Sequence, residues 1–128
     1  FPLECPDNTF DGVYTEHTLE HLYPHEVKNL LSELFRVMKK GGFGIFQVPQ
    51  DLKRDITFED NSITDKKERA KIFGQYDHVR VYGKDYFDRL REIGFKVNEI
   101  DYTKKIALKK LERFCLMKGE ILPVCYKN

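Results

Sequence analysis

The chain has 128 residues, enough for one domain with a hydrophobic core but few for a complete doubly wound enzyme. Its 22 basic and 21 acidic residues nearly balance, so no overall charge attracts nucleic acid or an anionic membrane. Three scattered cysteines argue against a disulfide framework and fit a reducing cytoplasm. No apolar run approaches the roughly 18 residues of a membrane span, and the N-terminus shows no signal pattern. We therefore expect a cytoplasmic domain that binds its partner at a local site.

The first predicted strand, Gly12–Thr15, follows an irregular lead-in that contains two prolines. Its β-branched and aromatic residues are typical of a buried strand. The polar residues Glu16 and His17 come directly after it. Ligands bind outside the carboxyl ends of the strands in an open α/β sheet, so this end is a candidate site.

A helix is predicted from Pro24, because proline suits the first helical position and Glu26 then places a negative charge in the first turn. Apolar residues follow at helical spacing, namely Val27, Leu30, Leu31, Leu34, Phe35 and Met38. Gly41 is predicted as the left-handed cap of this helix. The next stretch, Phe43–Val48, indicates a buried-type strand that Pro49 stops.

A long excursion is predicted over Gln50–Lys71, which is mostly polar and lacks a sustained apolar period, with a short helix over Asp65–Ile72. The aromatic and hydrogen-bonding side chains of Phe73–Gly83 suit a pocket wall. Four elements should complete the domain: a helix at Lys84–Ile93, a strand at Phe95–Tyr102, a helix at Thr103–Met117 and a strand at Glu120–Tyr126, with Pro123 near an edge or bulge.

A family resemblance rests on three parts in order: the segment FDGVYTEHTLEH (Phe10–His21), a helix ending in RVMKKGG, and the strand Phe43–Pro49. Together they resemble the second half of a class I S-adenosylmethionine-dependent methyltransferase of the type 11-like kind. The resemblance implies an α/β fold with part of a Rossmann-like sheet and flanking helices. Its strands would be the family's fourth to seventh, the seventh running antiparallel between the fifth and sixth.

The resemblance also implies where the cofactor S-adenosylmethionine would bind. The family holds it mainly through an N-terminal half with a glycine-rich turn, and the eight glycines here contain no such arrangement after a strand. The chain begins at Phe1 rather than Met, and we expect it to be an incomplete, inactive part of a larger enzyme. By position, Thr15, Glu16 and His17 would lie beside the methionine and sulfonium end. The alternative for these side chains is strand-end packing with a helix cap.

The region 50–83 would cover the methyl acceptor, most simply a small molecule. Its pattern resembles a subgroup of uncharacterised bacterial methyltransferases. The residues that the resemblance implies on the acceptor side are Gln75, His78, Arg80 and Tyr82, with His78 as the base and Arg80 as an anion clamp. A base is needed only if the acceptor must lose a proton. Alternatively, Asp77, His78 and Arg80 form a polar network that pins the excursion.

Two rival functions are weighed against methyl transfer. The letters HTLEH (His17–His21) spell H-x-x-E-H, an inverted zinc-peptidase motif in which His17 and His21 would bind zinc and Glu20 would act as the base. Pro24 interrupts the helical register that such a motif needs, and no other metal site is predicted. The second rival is a non-catalytic fragment or one subunit of a split methyltransferase.

The family's sheet order has a consequence for the first strand. The fourth strand of the family pairs with the first strand, which this sequence lacks, so one side of Gly12–Thr15 would be unpaired. An exposed strand edge is a template for another chain. We therefore expect self-association, or a bound N-terminal half, through this edge.

Overall fold

The structure is a computed structural model that describes residues 2–128. It contains a four-stranded sheet, a small two-stranded sheet and four α-helices. In chain order the elements are β1 (Phe10–Glu16), α1 (Pro24–Val37), β2 (Met38–Gln47), β3 (Phe58–Glu59), α2 (Lys66–Phe73), β4 (Arg80–Val81), α3 (Tyr86–Ile93), β5 (Lys96–Ile100), α4 (Leu108–Arg113) and β6 (Leu122–Tyr126). A 3-10 turn, Leu19–His21, joins β1 to α1. The predicted α/β class is confirmed.

The main sheet has the strand order β1-β2-β6-β5. β1 and β2 are parallel, whereas β6 runs antiparallel to both of its neighbours. The order expected for the fourth to seventh strands of the family is therefore confirmed. Pro123 is predicted near an edge or bulge, and it lies on β6, an inner strand, at a position that has no paired residue on the β2 side. It is tolerated there because the pairing with β2 ends at Val124, while Pro123 still pairs with Glu99 of β5.

β1 lies at an edge of the main sheet, and the side chain of Tyr14 is 59% exposed. Only Val13 and Thr15 are partly buried, and Val13 packs against the core. The pattern of β-branched and aromatic residues therefore identifies the strand correctly. It does not make the strand buried in this chain, where five of its seven residues are exposed.

α1 begins at Pro24 as predicted, and the Glu26 carboxylate accepts a hydrogen bond from the Tyr23 backbone N–H at 2.7 Å. Leu31 is the most buried of the stripe residues that lie in α1. Met38 was assigned to this stripe, but it is the first residue of β2. Its side chain reaches the same core, so the apolar spacing alone does not distinguish the two positions. Gly41 is left-handed, at φ 76°, within the irregular start of β2.

The predicted helix over Thr103–Met117 is wrong in its extent. A 3-10 turn at Tyr102–Lys105 is followed by extended backbone at Ile106 and by the six-residue α4. Leu111 is the buried residue of α4, whereas Phe114 is 60% exposed and Cys115 has a left-handed φ of 53°. The lysine-rich segment has too few apolar residues facing the sheet to stabilise a longer helix.

The core lies between the sheet and the helices α1 and α3, which contact each other and pack on β2 and β5. Its fully buried members include Leu19, Phe46, Tyr86, Leu90 and Phe95. Among residues 2–128, no helix is both long and apolar enough to cross a membrane.

Candidate functional site

The carboxyl ends of β1 and β2 meet at one edge of the sheet, where the His17 backbone N–H donates to the Gln47 carbonyl at 3.1 Å. A cleft of about 350 Å³ opens beside this edge. His17, Gln50, Asp51 and Glu120 line it. His17 has a φ of 48°, a left-handed conformation that is uncommon outside glycine and clusters at functional sites. The cleft therefore lies where an open α/β sheet binds its ligand.

A second cavity of about 120 Å³ adjoins the first and shares Gln50 and Asp51 with it. Phe73, His78 and Arg80 line its other side. The excursion after β2 thus passes along both cavities. Gln50 and Asp51 were not predicted as site residues, although they follow a buried strand directly, which is the signal that identified Glu16 and His17 after β1.

The three predicted cofactor residues have different surroundings. The Thr15 hydroxyl oxygen is buried and has no hydrogen-bond partner. Glu16 accepts a hydrogen bond from the Tyr14 hydroxyl at 2.6 Å, and this bond raises the pKa of Tyr14. The His17 side chain is 54% exposed. Of the three, His17 is the one that lines the larger cleft.

Two of the predicted acceptor residues lie near the end of α2. Gln75 is exposed and donates its side-chain amide to Asp77 at 2.8 Å, which lowers the pKa of that carboxyl. The His78 side chain is 12% exposed. Its Nδ1 atom lies 3.4 Å from the Phe73 carbonyl oxygen.

Arg80 and Tyr82, the other two acceptor candidates, lie in the interior, at 2% and 1% exposure. Arg80 donates from Nη1 to the Leu19 carbonyl at 2.7 Å and from Nε to Glu59 at 3.1 Å. The Tyr82 hydroxyl donates to the same carbonyl at 3.3 Å, and burial raises the pKa of this tyrosine to about 12. These contacts tie the excursion to the turn after β1. The Arg80 Nη2 atom is buried without a partner.

Glu20 lies at the centre of a histidine cluster and is 1% exposed. Neither of its carboxylate oxygens makes a hydrogen bond. Its Oε1 atom is surrounded by three imidazoles: His17 Nδ1 at 3.3 Å, His21 Nε2 at 3.8 Å and His78 Nε2 at 3.9 Å. The sequence singled out Glu20 only as part of the H-x-x-E-H pattern and gave no sign that His78 would join it.

The geometry does not fit the inverted zinc-peptidase motif. That motif needs two histidines on one helix, with the glutamate beside them as a base. Here His17 precedes the 3-10 turn in a left-handed conformation, and the turn is only three residues long. Glu20 is buried among the histidines instead of facing a substrate. The zinc hydrolase alternative is therefore wrong in its geometry.

Comparisons with known proteins agree with the strand order. The family described as "Methyltransferase domain" matches residues 2–46. The strand order β1-β2-β6-β5 is that of the later strands of a methyltransferase domain. No curated protein sequence matches the chain.

Solved structures resemble the methyltransferase fold of the chain over almost its whole length. An S-adenosylmethionine-dependent methyltransferase from Mesorhizobium loti is 13% identical, with a TM-score of 0.59, and the match covers 98% of this chain and 65% of that one. A structure of the complex between the Haloferax volcanii Trm112 methyltransferase activator and a methyltransferase matches at 16% identity and a TM-score of 0.54. The match covers 97% of this chain and 57% of that one.

A third structure of similar fold contains bound ligands. The 1,6-didemethyltoxoflavin-N1-methyltransferase of Burkholderia thailandensis, with 1,6-didemethyltoxoflavin and S-adenosylhomocysteine, is 12% identical with a TM-score of 0.53. The match covers 96% of this chain and 46% of that one. The chain thus spans about half to two thirds of the length of these three structures.

Proposed function

We propose that the chain takes part in S-adenosylmethionine-dependent methyl transfer to a small-molecule acceptor, as the acceptor side of a larger enzyme. The observation that carries the proposal is the coincidence of the β1-β2-β6-β5 strand order with a cleft at the carboxyl edge of β1 and β2. The family match over residues 2–46 and the fold relatives support it.

The residues at the end of β1 suit the methionine end of the cofactor. The buried Thr15 hydroxyl lacks a partner and is able to hydrogen-bond a polar group, while His17 forms part of the cleft wall. When bound, S-adenosylmethionine supplies an activated methyl group for a nucleophile. The adenosine end would be held by residues outside this chain.

The acceptor would lie in the cavities between the sheet edge and the region 50–83. His78 lines the smaller cavity, and a proton on its Nδ1 atom, facing the Phe73 carbonyl, would leave its Nε2 atom, 3.9 Å from Glu20 Oε1, as the atom that accepts a proton. Arg80 and Tyr82 would act by positioning the turn after β1, and Gln75 by holding Asp77. Methyl transfer relies mainly on alignment, so this rigid turn is the chain's main contribution.

A second candidate, a non-catalytic subunit of a split methyltransferase, is favoured by the exposed edge of β1. In that arrangement the cofactor-binding strands belong to another polypeptide, which pairs with β1. The chemistry of the assembled site is the same. What differs is whether one gene or two encode it.

The test uses the complete gene product that contains this chain. We expect calorimetry to detect S-adenosylmethionine binding, and a small-molecule cell extract to stimulate S-adenosylhomocysteine formation. His78→Gln should lower that formation by at least about 100-fold, the usual contribution of a positioned acid or base, while cofactor affinity stays unchanged. His25→Gln, an exposed histidine on α1, is the matched control.

Two results would contradict the proposal. One is a complete gene product that binds no cofactor. The other is an equal loss of cofactor affinity and turnover in His78→Gln, since this would place His78 on the cofactor side. If the complete gene product proves to be this chain alone, and it binds S-adenosylmethionine only together with a second polypeptide, the split enzyme is favoured.

A further inference from the structure

We propose that Glu20, His21 and His78 form a binding site for a divalent transition-metal cation, with one coordination position left open. One ligand atom from each of these three residues lies within 4.8 Å of the others. His17 lies beside this group, with its Nδ1 atom 3.3 Å from Glu20 Oε1. The proposal goes beyond methyl transfer, because cation binding requires neither the cofactor nor the acceptor.

The strongest observation is the state of the Glu20 carboxylate. It is almost completely buried, yet neither oxygen makes a hydrogen bond. A buried carboxylate without hydrogen bonds is unfavourable by several kcal/mol unless a nearby positive charge compensates it, so such groups are paired with a cation or coordinate a metal. The nearest potential partners are imidazole nitrogens, which are metal ligands when neutral. A cation between Glu20, His21 and His78 would satisfy the carboxylate and these two rings together.

The two partly buried histidines, His21 and His78, are oriented as metal ligands usually are. His21 places Nδ1 3.3 Å from Asp77 Oδ2 and turns Nε2 toward Glu20. His78 places Nδ1 3.4 Å from the Phe73 carbonyl and also turns Nε2 toward Glu20. A carboxylate or carbonyl that holds the second ring nitrogen fixes the tautomer and leaves the inward nitrogen free to bind metal. Gln75 in turn holds Asp77.

The three ligand atoms must come closer together to bind one ion. Ligand atoms at 2.0–2.1 Å from a tetrahedral zinc are roughly 3.4 Å apart. The His21 and His78 Nε2 atoms lie 3.8 and 3.9 Å from Glu20 Oε1, and the three residues place their ligand atoms within 4.8 Å of one another. The Glu20 backbone is fixed, because its carbonyl accepts from the Val79 N–H at 2.9 Å and Arg80 holds the preceding carbonyl. Closure therefore requires only side-chain rotation.

The ligand set selects the class of cation. Imidazole nitrogens with one carboxylate suit Zn²⁺, Fe²⁺, Co²⁺ or Ni²⁺, whereas Mg²⁺ and Ca²⁺ prefer all-oxygen sites. His17 lines the larger cavity and His78 the smaller one, so the site adjoins both. If methyl transfer holds as proposed, the cation would replace His78 as the activating group by lowering the pKa of an acceptor oxygen or nitrogen bound to it.

The experiment titrates Zn²⁺ and Co²⁺ into the complete gene product, purified without a histidine tag and stripped with a chelator. We expect one equivalent to bind, with a Co²⁺ absorption spectrum that indicates nitrogen ligation and a melting temperature that rises with zinc. Glu20→Gln, His21→Gln and His78→Gln should each weaken binding by more than about 100-fold, beyond the range of an outer-shell change.

Two further variants distinguish a specific loss of metal binding from misfolding. Asp77→Asn changes a partly exposed carboxylate outside the ligand set and should weaken zinc about 10–100-fold through His21. His25→Gln, which replaces the one histidine outside the cluster, should bind zinc like the wild type. The inference is overturned if the wild type binds neither ion, if Asp77→Asn leaves affinity unchanged, or if His25→Gln weakens it equally. Cofactor binding by the metal-free protein tests methyl transfer separately.

Discussion

At the scale of single residues, Arg36 and Glu33 fix the lead-in before β1, which the sequence indicated only as an irregular loop. Arg36 donates to the carbonyls of Leu3 and Cys5 at 3.0 and 2.9 Å, and it forms a two-bond pair with Glu33. Glu33 also accepts from the Leu3 backbone N–H at 2.8 Å. One helical face therefore satisfies the polar backbone of a segment that has no regular structure.

The Glu33 pair predicts an acid-dependent contribution to stability. The hydrogen bond from Arg36, then that from Leu3, lowers the pKa of Glu33 from 4.5 to about 2. Because the folded pKa is depressed, the contribution is fully present above pH 4.5 and is lost as the pH falls through about 2. Glu33→Gln should therefore lower the melting temperature at neutral pH, and its difference from the wild type should shrink between these values.

Thermal melts between pH 7 and 2 measure this effect, with Glu112→Gln, an exposed residue of α4, as the control. A deficit of Glu33→Gln that stays constant down to pH 2 would show that the charge of Glu33 contributes nothing.

At the scale of elements, the excursion is ordered by its contacts with α3 and with the turn after β1, and it has little core of its own. The Asp85 carboxylate accepts from the Thr57 backbone N–H at 2.7 Å and its hydroxyl at 2.6 Å. Glu59 pairs with Arg80 and Arg89 at 3.1 Å each. β3 and β4 are only two residues long, so these side-chain contacts hold the excursion in place.

Gly83 tests how the excursion is held. A Cβ atom at Gly83 would lie 2.7 Å from the Ile56 carbonyl carbon and 2.9 Å from the Thr57 nitrogen, which are backbone atoms that cannot rotate away. We expect Gly83→Ala to reduce stability by about 1–3 kcal/mol, as overpacking does, and to expose the region 50–73 to proteolysis. Lys84→Ala, beside it and exposed, loses only a surface ion pair with Asp55 and is the control. Equal resistance of both variants to proteolysis would mean that the excursion is not held at Gly83.

At the scale of the whole molecule, the exposed edge of β1 is the main unsatisfied feature. β1 pairs with β2 on one side, and no described strand pairs with it on the other. Phe10, Tyr14 and Phe43 expose 40%, 59% and 47% of their surface on or beside this strand. Free backbone groups next to aromatic surface favour the addition of another strand.

We predict that β1 pairs with a further strand in solution, either from the rest of the complete gene product or from a second copy of this chain. Hydrogen exchange should show protected amides on both edges of β1 in the complete protein. The isolated chain should sediment as a concentration-dependent oligomer, and Tyr14→Lys should reduce that association because a charged edge strand disfavours pairing. Thr18→Lys, exposed but beyond β1, is the control. A monomeric wild-type chain at high concentration would contradict self-association.

The amino-acid sequence by itself determined the order of elements, the start of α1 at Pro24, and the end of α3 at Ile93 before Gly94, because caps and periodicity act over a few neighbouring residues. The resemblance to the methyltransferase family added the order of the strands in the sheet. The sequence did not determine the extent of α4 or the strand position of Met38, which depend on packing against distant elements.

The histidine cluster shows the same limit at the site. Glu20 and His78 are 58 residues apart in the sequence, and their approach depends on the backbone bond from Val79 to Glu20 and on Arg80 reaching the Leu19 carbonyl. The sequence showed the H-x-x-E-H pattern at His17–His21, but it did not show that histidines gather around a buried Glu20 carboxylate. Only the tertiary structure decided this arrangement, because burial of Glu20 requires the excursion to fold back over the end of β1.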